Sequence, residues 1–146
     1  MIELRNTVNI DRPVGEVFAY ISELEHTPEW NWAIRETRKT SHGPVAVGTT
    51  YRQTRTVPSP ATEELEITAL QRDVLLEVVG ELASLPAKLT YRFYPTAGGT
   101  RVTNEIELRP QGAVRLLGPV VSKQIERSVA ENLRVLKGRL EDENRS

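Results

Sequence analysis

The chain contains no cysteine and only two histidines among its 146 residues. The first absence excludes disulfide staples, thiolate nucleophiles and cysteine-ligated zinc or iron–sulfur sites. The second leaves His26 and His42 as the only side chains that titrate near neutral pH without a large shift. They stand far apart, and no His-x-His or His-Glu-x-x-His spacing offers a metal site. No Gly-x-Ser-x-Gly elbow, phosphate-cradling glycine loop or dinucleotide fingerprint occurs, so neither a metal nor a cofactor is expected. No stretch approaches the ~18 apolar residues of a membrane span. The start, Met1-Ile2-Glu3-Leu4-Arg5, lacks the basic and apolar segments of a secretory signal. Net charge is also scarce: 19 Lys and Arg oppose 20 Asp and Glu, for a formal charge of -1. The basic residues are dispersed and have no recurrent aromatic neighbours, so nucleic acid is not an expected partner. These absences describe a cytoplasmic protein without integral membrane contact.

What is present is a hydrophobic fraction of 38%, enough for a core, in a length that suits one domain over residues 1–146. Ile2, Leu4, Val8 and Ile10 alternate with polar residues, as in a half-buried strand. Asp11-Arg12-Pro13 reads as a helix start, with Asp11 as cap and Pro13 in the first turn. Val14, Val17, Phe18 and Ile21 give the stripe of a short helix, and Leu24–Trp32, broken by Pro28, a second short helix or turn. Strands follow at about Thr49–Val57, Thr62–Leu70, Val74–Leu82, Ala87–Tyr94 and Thr100–Arg109. Pro58-Ser59-Pro60, Gln71-Arg72-Asp73 and Ala97-Gly98-Gly99 supply turns between them. Seven strands with short turns predict an antiparallel meander, although the pattern places only six of them.

A long helix from about Pro119 to Glu143 ends the chain. Its apolar residues Val121, Ile125, Val129, Leu133, Leu136 and Leu140 recur at close to the 3.6-residue period. At about 36 Å it can cross a whole small sheet. One long helix covers one concave face of a curved antiparallel sheet, and that arrangement encloses space.

The order of these elements resembles the START-like (SRPBCC) superfamily, and most closely its polyketide cyclase/dehydrase-like branch. Val8-Asn-Ile-Asp-Arg-Pro-Val-Gly-Glu-Val-Phe18 resembles the opening strand and proline-started helix of that family. Pro28-Glu29-Trp30 is similar to its first turn, Val47-Gly48-Thr49-Thr50-Tyr51 to its third-strand entry, and Gly98-Gly99-Thr100-Arg101-Val102-Thr103 to the turn into its last strand. The resemblance covers essentially the whole chain. It implies an α+β helix-grip fold: a curved seven-stranded antiparallel sheet wrapped around a long C-terminal helix, with two short helices after the first strand. It also implies a deep, mostly apolar cavity between sheet and helix. It implies no single reaction, because the superfamily includes carriers, receptors and cyclases.

Alternation assigns the inward faces. Leu4, Asn6 and Val8 point in together, as do Tyr51, Gln53 and Arg55, and Glu63, Leu65 and Ile67. Leu76, Val78, Gly80 and Leu82 follow, then Leu89, Tyr91 and Phe93, then Val102, Asn104, Ile106 and Leu108. Five polar side chains, Asn6, Gln53, Glu63, Tyr91 and Asn104, therefore face an apolar interior, the composition of a small-molecule site. The residues expected to touch a ligand are Trp30, Tyr51, Gln53, Leu65, Ile67, Val78, Leu89, Tyr91, Phe93, Asn104 and Ile106 on the sheet side. Val121, Ile125 and Val129 complete them on the helix. Trp30 or Trp32 can close the mouth, and His26 can line an entrance.

Three functions fit. One is binding of a small hydrophobic or amphipathic molecule, such as a lipid, isoprenoid or aromatic polyketide-like compound, by a monomer or homodimer, with Asn104, Tyr91 and Gln53 fixing the polar end. The second is a cyclase or dehydratase in the same cavity, for which Glu63, Tyr51 and Tyr91 are the acid–base candidates. The third is a protein-binding surface above a vestigial cavity. The lack of an inward histidine favours binding over catalysis.

Overall fold

Alternation of inward and outward side chains makes the first strand, and the same period of two recurs in most of the later strands. A computed structural model describes residues 1–109 and 118–142. β1 (Ile2–Ile10) leads into α1 (Val14–Ser22) and a 3₁₀ helix at Leu24–Glu29. Then come β2 (Ile34–Lys39), β3 (Thr50–Arg55), β4 (Ala61–Gln71), β5 (Leu75–Leu82), β6 (Leu85–Thr96), β7 (Gly99–Leu108) and α2 (Gly118–Asp142). The strands form one antiparallel sheet in the order β1-β7-β6-β5-β4-β3-β2. β1 lies along β7 from Ile2 opposite Leu108 to Ile10 opposite Thr100. This is the helix-grip arrangement.

Local chemistry explains the junctions. α1 begins at Pro13, whose fixed φ of -58° suits the position and whose carbonyl accepts from the N–H groups of Glu16 and Val17. Asp11, expected as the cap, makes no side-chain cap. It lies two residues before the cap position, and its backbone N–H donates to Glu141 Oε2 at 2.8 Å. Gly99 opens β7 where a Cβ would stand 2.2 Å from the Ile10 carbonyl oxygen, so no larger residue fits the close approach of β7 to the end of β1. Between β5 and β6 the turn residues are Ala83 and Ser84, both at positive φ, 51° and 68°.

The buried residues form two clusters. The larger joins α1, the 3₁₀ helix and much of the sheet to Leu133, Leu136 and Leu140 of α2. The smaller contains Ile2, Leu4, Leu85, Ile106 and Leu108, with the half-buried Ile125 and Val129 packed on it. α2 is thus held firmly at its C-terminal half. Polar contacts pin the same half: Lys137 Nζ donates to the Asn9 carbonyl at 2.8 Å, and Arg139 Nε reaches Glu29 Oε1 at 3.2 Å.

Candidate ligand-binding cavity

Between the two clusters lies a cavity of about 460 Å³, bounded by the sheet, α2 and the segment around Trp30. The sheet opens it at one row of its register. Leu65 on β4 pairs with Gly80 on β5, Gly80 with Ala87 on β6, and Ala87 with Leu108 on β7. The middle two positions carry almost no side chain, so nothing rises from the sheet to fill the space beneath α2. A side chain at Gly80 is also barred from below, since a Cβ there would meet Glu64 O at 2.3 Å and a Leu65 methyl at 2.7 Å. The volume is within the roughly 300–1,000 Å³ typical of small-molecule sites.

Alternation assigns the faces well. Gln53, Glu63, Tyr91 and Asn104 are buried, and Asn6 is half-buried beside Asn104 across β1 and β7. Of the residues expected to touch a ligand, Trp30, Gln53, Leu65, Val78, Leu89 and Tyr91 line the cavity from the sheet side. Asn104 and Ile106 on β7 do so as well, and so do Ile125 and Val129 on α2. The side chain of Val121 lies outside the described residues.

Tyr51, Ile67 and Phe93, also expected to touch a ligand, are not among its lining residues. Each faces inward, but at the end of the sheet closed by α1. Phe93 packs edge-on against Phe18 of α1, with ring centroids 5.1 Å apart. The Tyr51 hydroxyl donates to Glu23 Oε1 at 3.2 Å, just after α1, and Ile67 is fully buried in the same cluster. His26 is not on the wall either; its ring stacks on Tyr20 with centroids 4.5 Å apart. His42 is exposed in a loop. Trp32, 60% exposed, lines the rim where the cavity meets solvent.

The polar groups divide into two sets. One is saturated. Glu63 accepts from Gln53 Nε2 and Arg55 Nε, both at 2.8 Å, and from the Ala83 N–H at 2.7 Å. The other end of the Gln53 amide accepts from Thr37 Oγ1 at 3.3 Å. Gln53, expected to anchor a ligand, therefore has both ends of its amide committed to protein partners. Glu63 is not on the wall at all.

The second set is unsatisfied. Asn6 Nδ2, Trp30 Nε1, Asn104 Oδ1 and Asn132 Oδ1 are buried and have no hydrogen-bond partner among the described residues, and the last three belong to residues that line the cavity. Such a group costs about 1–3 kcal/mol when left unpaired, so three together are a large fraction of a typical domain stability of about 5–15 kcal/mol. Tyr91 is beside them. Burial pushes its phenol well above the usual tyrosine range, an effect eased by a hydrogen bond from Asn104, and it therefore stays protonated.

Asn132 is a residue that reading α2 for apolar period alone misses. Gln124, Ser128 and Asn132 recur every four residues and line the cavity together. They lie one position before Ile125, Val129 and Leu133, so a stripe of uncharged polar residues runs beside the apolar one. That neutrality, on a helix whose other polar positions are mostly charged, is the signal that marks them.

A curved seven-stranded sheet gripping a long C-terminal helix defines the helix-grip class of folds. The sequence pattern of the family described as polyketide cyclase / dehydrase and lipid transport matches residues 1–141, and the chain belongs to that family. Solved structures share the fold at low identity. A START superfamily protein from Mycobacterium smegmatis superposes with a TM-score of 0.83 at 14% identity, over 97% of this chain and 99% of that one. The protein TTHA0849 from Thermus thermophilus gives 0.78 at 18%, with the same coverage of 97% and 99%. The di-domain ARO/CYC StfQ of the steffimycin biosynthetic pathway gives 0.75 at 17%, over 94% of this chain and 49% of that one. No curated protein matches the sequence. Among the described residues, no helix is long and apolar enough to cross a membrane.

Proposed function

We propose that this protein binds one small hydrophobic or amphipathic molecule in the cavity between the sheet and α2. The observation that carries the reading is the pairing of apolar walls with three buried, unpartnered polar side chains on one cavity. Burial of apolar surface supplies affinity at about 25 cal/mol per Å², and the unpartnered groups supply orientation. Membership of a family that includes lipid transport agrees with it. The test is native mass spectrometry of freshly purified protein, followed by thermal melts after delipidation. A co-purifying small molecule, or a melting temperature raised by hydrophobic compounds through linkage, is the expected result. Neither adduct nor stabilisation across a broad hydrophobic panel would overturn it.

A second reading, a cyclase or dehydratase acting in the same cavity, is favoured by one observation. Of Glu63, Tyr51 and Tyr91, only Tyr91 reaches the wall, and as a protonated phenol it can donate to a substrate oxygen. Turnover of a polyketide-like substrate that is lost in Tyr91→Phe would establish it.

A further inference from the structure

The three unpartnered groups specify more than the presence of a ligand. They are an indole N–H and two amide oxygens, on Trp30, Asn104 and Asn132, respectively 6%, 2% and 6% exposed. None is charged. Trp30 lies before β2, Asn104 on β7 and Asn132 on α2, so three different elements converge on the same enclosed space.

Charge is confined to another part of the wall. Among the described residues that line the cavity, Arg55 is the only charged one. It is on β3, with β4, β5 and β6 between it and β7, roughly 19 Å away along the curved sheet at ordinary strand spacing. Its guanidinium is already matched by Glu63 at 2.8 Å. A carboxylate placed near Asn104 and Asn132 would face two carbonyl oxygens with no cation beside them. Neutral donors such as Trp30 Nε1 would have to offset its desolvation without a counter-charge.

A hydroxyl is different, since it both donates and accepts. It can donate to an amide oxygen while accepting from an indole N–H, and Tyr91, Ser128 and Gln124 extend the same uncharged lining. Resting on the binding reading above, we infer that the cavity selects an apolar molecule bearing one or more uncharged hydroxyls, alcoholic or phenolic, and discriminates against the carboxylate of matching skeleton. Asn104 and Asn132 are the specificity-determining acceptors and Trp30 the donor.

The test uses matched probes on the delipidated full chain at neutral pH: 2-naphthol, 2-naphthoate and naphthalene, and dodecanol against dodecanoate. Calorimetric titration should show each alcohol binding about tenfold or more tighter than its carboxylate, and naphthol tighter than naphthalene by a similar factor. Asn132→Leu should remove most of the advantage of naphthol over naphthalene. It should leave the melting temperature of the ligand-free protein equal or higher, because an unsatisfied amide has been replaced by an apolar side chain. Trp30→Phe, which removes only the N–H function and some ring area, is the second variant should Asn132→Leu fail to fold.

Carboxylates binding tightest, or naphthalene binding as well as naphthol, would overturn the inference. So would an Asn132→Leu protein that melts lower and keeps full preference for alcohols, which would make Asn132 a structural residue served by ordered water. If no probe binds while native mass spectrometry shows another small molecule retained, the hydroxyl inference fails and the binding reading survives. If nothing is retained and nothing binds, both fail.

Discussion

Arg55 Nε donates to Glu63 Oε2 across 2.8 Å, with the two side chains only 12% and 2% exposed. The pair stands where β3, β4 and the β5–β6 turn meet, and Glu63 also holds the Ala83 N–H of that turn. Removing one partner leaves the other charge buried without its counter-charge. Arg55→Ala and Glu63→Ala are each expected to destabilise by about 3–5 kcal/mol, measured by chemical denaturation. The double variant should lose less than the sum of the two, and Glu63→Gln less than Glu63→Ala.

The two halves of α2 should respond differently to truncation. Leu136 is fully buried in the larger cluster, so Leu136→Ala is expected to cost about 2–5 kcal/mol. Ile125 is half-buried on the cavity wall, and Ile125→Ala should cost less than half as much. The same substitution should weaken hydrophobic-probe binding, which Leu136→Ala leaves intact in the folded fraction. Denaturation and probe titration of both variants check the contrast.

Gly99→Ala places a methyl within 2.2 Å of the Ile10 carbonyl oxygen, with Asp11 Cα and Arg12 N at 2.9 Å. All three obstacles are backbone and cannot rotate aside. A loss of about 1–3 kcal/mol is expected, read as a lower midpoint in urea. Gly15→Ala, which has no atom within 4 Å of the new Cβ and lies within α1, should be neutral or stabilising.

Stability should fall at both ends of the pH scale for identifiable reasons. A hydrogen bond from Tyr20, together with the nearby Arg139, lowers the Glu29 carboxyl below the ordinary range despite some desolvation. The unfolded chain then binds that proton first, so this contribution is present above the ordinary glutamate range and is lost as pH falls through and below it. Tyr20→Phe should shrink the acid-side loss. At the alkaline end, burial holds the phenols of Tyr20, Tyr51 and Tyr91 above the usual range, with Glu29 and Glu23 adding to it for the first two. Their contribution is full below the ordinary phenol range and is lost as pH rises above it. Ultraviolet titration should show these three ionising together with unfolding, as one cooperative step.

The inward faces of the strands are legible because period-two alternation states directly which side chains share a face. That rule places Asn6, Gln53, Glu63, Tyr91 and Asn104 on the correct side of the sheet. Position along a strand is not legible, and so alternation assigns Tyr51, Ile67 and Phe93 to the cavity although α1 closes their end. β2 escapes placement for a different reason. It is an edge strand carrying Arg35, Glu36, Arg38 and Lys39, with an irregularity between Ile34 and Glu36, so charge and a bulge erase its alternation. The Ala83–Ser84 turn has neither glycine nor asparagine to announce its positive φ. Strand pairing on both sides and the bond from Ala83 to Glu63 hold that conformation, and neither is local in sequence.

The most direct measurement is a crystal structure under xenon pressure, which reports accessible apolar space without needing the natural ligand. Xenon bound among Leu65, Val78, Leu89 and Val129, between sheet and helix, is the expected result. An interior closed by the protein's own side chains, with xenon absent from that region, would contradict the binding cavity on which the functional account stands.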